Sequence, residues 1–123
     1  MLSDETRAHL EHGIRLFNAG RYFDAHEALE DAWRSCSGDE KLLLQGVTQA
    51  AVALHHHSTG NLTGAQSVLA RALANMSGFP EGSAGLRLAP LRASLSVCLA
   101  AIERSEPLPP RPHIERTTEA SGT

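Results

Sequence analysis

The sequence is poor in aromatic residues: phenylalanine, tyrosine and tryptophan make up 4% of its 123 residues. A core must therefore be built from leucine, alanine and valine. Cysteine is nearly absent. Cys36 and Cys98 are too few and too far apart for a metal knuckle or a disulfide framework. Cys98 sits in an apolar run and reads as a small core residue. No apolar stretch reaches the length needed to span a bilayer. No charge of one sign dominates: the net charge is −3 and the pI is near 6.1. That removes the basic footprint of a nucleic-acid binder. The start, Met1-Leu2-Ser3-Asp4-Glu5, lacks a leader's apolar region, so the expected compartment is the cytoplasm. There is no glycine-rich phosphate loop, no nucleophile elbow, and no serine or cysteine with a plausible triad. What remains has 41% hydrophobic and 20% charged residues, the composition of an ordinary globular domain. Its length is enough for one core without metal or disulfide support.

Helical periodicity and turn residues predict an all-α bundle of about five helices. The first spans about 3–18, with Ser3 or Asp4 as N-cap, Leu10, Gly13, Ile14 and Phe17 on its buried face, and Gly20 as its stop. The second covers about 22–34 and the third about 39–57. The fourth covers 62–76, burying Ala65, Leu69, Ala72, Leu73 and Met76. A glycine-, proline- and serine-rich loop spans 77–85. Pro90 suits the first turn of a fifth helix, which buries Leu91, Leu95, Cys98 and Ile102. The helical domain is expected over 1–105 and an extended or disordered tail over 106–123. Within that tail 107–114 suits an extended path along the body and 117–123 disorder.

Gly20, Ala25, Leu29 and Ala32 recur as Gly60, Ala65, Leu69 and Ala72, and Trp33 is answered by Leu73. The echo predicts two related helix-turn-helix hairpins. The pattern Gly-x-Tyr-x-x-Ala-x-x-x-Leu resembles tetratricopeptide repeats, but two units favour a closed bundle over a solenoid.

The candidate site comes from polar residues among apolar ones. Successive helical residues rotate by about 100°. His26 then falls about 20° past Trp33, and Glu30 about 40° past His26. Phe23 lies just beyond Glu30, so both polar residues have apolar neighbours on each side. Glu27 lies at the margin. The third helix is apolar almost all round, yet Gln45, Gln49 and His56 fall within about 40° of one line. A polar side chain left unpaired in a core costs about 1–3 kcal/mol. This stripe is therefore expected to find partners, and His26 and Glu30 are the simplest. Three readings of the seam follow, one of them a metal-free catalytic or ligand pocket. His26, Glu30 and His56 can form a three-ligand site for a divalent ion such as Zn, Mn or Fe. Alternatively His26 donates to Glu30 or Gln49 in a metal-free polar seam that fixes helix register. Tyr22, Trp33, Gln45 and Gln49 are the residues expected to line the site, Tyr22 by its hydroxyl. His55 and His57 point away from that line and read as surface residues, as do His9 and His12.

Taken together, three segments resemble a known family. They are Phe17-x-x-Gly20-x-Tyr22-Phe23-x-Ala25-His26-Glu27-x-Leu29-Glu30-x-x-Trp33, Leu44-Gln45-Gly46-Val47-x-Gln49-x-Ala51-Val52-Ala53-Leu54-x-His56, and Gly60-Asn61-x-x-Gly64-Ala65. The family is domain of unknown function 309, small helical proteins of bacteria and archaea. The likeness covers about 8–76 and Pro112-His113-Ile114. It implies a compact helical fold. Some members are labelled predicted metal-dependent hydrolases, and that label would fall on His26, Glu27, Glu30, Gln49 and His56. Glu27 would then be the catalytic base beside a metal-bound water. The other expectation is a non-enzymatic, tetratricopeptide-like module that binds a partner protein. The sequence names neither a small-molecule substrate nor a partner.

Overall fold

The structure, a computed structural model, describes residues 2–117. It contains five α-helices: α1 Asp4–Asn18, α2 Tyr22–Ser35, α3 Glu40–Ser58, α4 Leu62–Met76 and α5 Leu88–Glu103. A single 3-10 turn, Ser83–Gly85, sits in the loop before α5. Among the described residues there is no strand, only an isolated antiparallel bridge between Leu86 and Arg116. No helix among them is long and apolar enough to cross a membrane.

The helix ends follow local chemistry. Ser3 Oγ accepts the Thr6 N–H at 3.1 Å and caps α1, as its position before the first apolar residue predicts. Asn61 Oδ1 accepts the Gly64 N–H at 2.9 Å and caps α4. Pro90 stands third in α5, which begins at Leu88. The first turn has no intrahelical use for the missing N–H.

The expected echo appears as two matching turns. Gly20 has φ +79°; its N–H bonds Phe17 O at 2.9 Å, and the Arg21 N–H bonds Leu16 O at 2.9 Å. Gly60 has φ +87°; its N–H bonds His57 O at 3.1 Å, and the Asn61 N–H bonds His56 O at 2.9 Å. Both are Schellman closures around a left-handed residue, which glycine adopts without strain. Ala25, Ala32, Ala65 and Ala72 are fully buried, so the second helix of each hairpin packs close to the first.

α1 packs on α2, α3 on α4, and α2 joins α3, with α5 laid on α4. One apolar core runs through all five, from Phe17 and Leu29 through Leu43, Leu69 and Leu95. The chain after α5 closes it. Ile114 is buried in that core. Asn18 holds it from both sides, donating to Ile114 O at 3.0 Å and accepting the Ile114 N–H at 2.8 Å. Thr117, the first residue of the stretch expected to be disordered, instead donates its N–H to Gly85 O at 2.9 Å. A backbone bond of this kind is invisible to composition, which was the basis of the expectation. The rest of that stretch, 118–123, lies outside the described residues.

Candidate functional site

His26 and Glu30 stand one turn apart on α2, with His26 Nε2 3.8 Å from Glu30 Oε1. Their side chains are 30% and 31% exposed. This differs from the expected burial. The apolar residue beyond Glu30 is Phe23, and it is itself 53% exposed. The apolar arc of α2 thus ends at His26, and the seam runs along the rim of the helix interface. Glu27, expected at the margin, is exposed.

The α3 residues are half-buried in the same way: Gln45, Gln49 and His56 all retain some contact with solvent. Their partners also differ from those expected. Gln49 Oε1 accepts the Asn75 amide of α4 at 2.7 Å, so Gln49 serves the α3–α4 hairpin rather than His26. His56 Nδ1 lies 3.4 Å from the Asn61 amide in the turn after α3. Glu30 is engaged by Arg34 one turn on, whose guanidinium approaches Oε2 at 3.3 Å.

Phe23 links the two helices. Its ring lies 5.4 Å from that of His55 and 6.3 Å from that of His26, centroid to centroid. His55, expected at the surface, is half-buried by this contact. Tyr22 points elsewhere. It packs edge-on against Phe17 at 5.4 Å, and burial raises its phenol pKa, with Arg111 opposing. Its hydroxyl therefore belongs to the side closed by the C-terminal strap, not to the seam. Trp33 is half-buried at the far end of α2, with the Lys41 ammonium 5.1 Å over its ring. Lys41 also donates to Trp33 O at 2.8 Å and Cys36 O at 3.1 Å, closing the C-terminus of α2.

A three-ligand divalent site needs its donors around one point, free of cations. Here a guanidinium sits on Glu30 and an amide beside His56. Among the described residues no group of three or more His, Cys, Asp and Glu is placed to hold a metal ion. The residues present do not fit such an ion. Cavities are found elsewhere. One of about 460 Å³ lies between Arg7, Leu10, Ile14, Leu86 and Arg116, and one of about 730 Å³ between Gly38, Leu42, Ala74 and Phe79. Neither is lined by His26, Glu27, Glu30, Gln45, Gln49 or His56.

Three partners escaped the sequence reading. Arg34 was legible, being four residues after Glu30. Asn61 was legible as the residue after a helix-stopping glycine. Asn75 had no signal, because its contact with Gln49 depends on how two helices dock.

Residues 10–68 match the family described as domain of unknown function (DUF309). The chain is also 34% identical over 92 residues to an uncharacterized protein of Aquifex aeolicus (strain VF5). That match takes in 74% of this chain and 28% of the relative, so the chain spans under a third of the protein it matches.

Proposed function

We propose that this chain, whose residues 10–68 belong to the DUF309 family, is a helical docking module that binds a partner protein along α2 and the C-terminal half of α3. The observation that carries the reading is the form of the seam. Its polar residues lie on an open, half-exposed face; His26, Glu30, Gln49 and His56 engage nearby side chains, and none of the seam lines either of the two cavities described above. A small-molecule enzyme site is instead concave and buries most of its ligand. Phe23 adds a large exposed aromatic side chain on that face, the residue type enriched at protein interfaces.

The competing reading is the metal-dependent hydrolase, with an ion on His26, Glu30 and His56 and Glu27 as base. Calorimetric titration of the untagged, folded chain with Zn(II), Mn(II) and Fe(II) separates the two. No stoichiometric site is expected. One ion bound per chain, lost in His26→Ala while the fold is kept, would overturn the docking reading and restore the hydrolase.

A further inference from the structure

We propose that the outer face of α2 grips an arginine side chain of the partner, with its guanidinium stacked on Phe23 and forked onto Glu27. The proposal rests on the docking-module reading and names the chemistry of the occupant.

Phe23 is 53% exposed, yet its ring is steadied from behind by His55 and His26. It is thus an aromatic ring held between two imidazoles while about half of the residue stays open to solvent. Glu27 follows one turn later, and residues four apart on a helix are neighbours at about 6 Å between Cβ atoms. Ring and carboxylate therefore share one patch. Glu27 is exposed and has no hydrogen bond or ion pair among the described residues.

The flanking carboxylates show what this surface accepts. Asp24 holds the Arg21 guanidinium at 2.5 Å, and Glu30 holds that of Arg34 at 3.3 Å. Glu27 lies between them with no such partner. The neighbouring α3 supplies none, because it carries no Asp, Glu, Lys or Arg from Leu42 to its end. Asp31, also exposed and without a hydrogen bond or ion pair among the described residues, extends the negative potential along the helix. α2 carries four carboxylates against one arginine, so a cationic partner would be steered to it. Arginine fits better than lysine. Its planar fork can stack on a ring and meet a carboxylate with two N–H groups at once, whereas an ammonium is a compact point charge.

The test uses the full chain, labelled with ¹⁵N and titrated with a short end-capped peptide of arginine, leucine and glycine. Saturable amide shifts are expected at Phe23, Glu27 and His55, weakening as salt is raised. The lysine version should bind several-fold more weakly, and the neutral citrulline version about tenfold more weakly. Glu27→Gln and Phe23→Ala should each weaken the arginine peptide about fivefold. Both side chains are exposed, and circular dichroism would verify that both variants stay folded. Equal binding of the citrulline peptide at the same amides would overturn the arginine assignment and leave the docking module standing. Shifts confined to another face, or none with any peptide, would overturn the assignment and remove the support of this face for the module.

Discussion

Gly20 and Gly60 perform the same backbone task in different surroundings. Both are left-handed, but a Cβ on Gly60 would meet nothing within 4 Å, whereas one on Gly20 would run into the Arg111 guanidinium. That guanidinium donates to Ala19 O at 3.1 Å, so the space above Gly20 is where the strap anchors. Gly60→Ala should cost about 1 kcal/mol, the strain of a left-handed residue with a side chain. Gly20→Ala should cost about 2–3 kcal/mol, because it adds the loss of the strap's hydrogen bond. Urea unfolding of the two variants checks the difference, and equal losses would deny Arg111 its anchoring role. At this scale the sequence was informative where chemistry is local. A glycine after a helix announces its own conformation, and Ser3 announces its cap. It was uninformative about His26, because rotation along one helix does not reveal how far the neighbouring helix extends over it. Phe23 was read as a wall, and it is the open edge.

At the scale of elements, the docking of α3 on α4 depends on Gly46. A Cβ there would come 2.9 Å from Met76 Cγ and 3.0 Å from Ala72 O, the second a backbone atom that cannot swing aside. Gly46→Ala should therefore push α4 outward and cost about 1–3 kcal/mol, as overpacking does. It should also loosen the Gln49–Asn75 pair, which spans the same interface. Chemical denaturation measures the first effect, and side-chain amide shifts of Asn75 report the second. A variant as stable as the parent would mean that the helices have slack here. The helices themselves were legible: α4 runs from Leu62 to Met76, the range its periodicity predicts. The Asn75 contact and the burial of Ile114 were not, since both arise only once separate elements meet.

At the scale of the whole molecule, stability should depend on pH in alkali. Burial raises the thiol pKa of Cys98 and the phenol pKa of Tyr22. Burial raises Cys36 as well, with Glu40 adding to the shift. Each group thus keeps its proton longer folded than unfolded. The stability tied to them is complete below the unfolded values, about 8.5 for thiols and about 10 for phenols, and is lost as pH rises through the folded values. Urea midpoints should fall from pH 8 to pH 10.5, and the early part of that fall should shrink in Cys98→Ala. A midpoint independent of pH over this range would contradict the burial of these groups.

The strap has a consequence for the order of events during synthesis. Both hairpins are built from contacts close in sequence, and such contacts form quickly. The clasp between Asn18 and Ile114 joins residues 96 apart. It cannot form until nearly all of the described chain has left the ribosome. Until Ile114 emerges, the core that both hairpins share stays open where that side chain lies buried in the finished fold. The nascent core's exposure to chaperones and to aggregation is set by how fast the stretch between α5 and Ile114 is added.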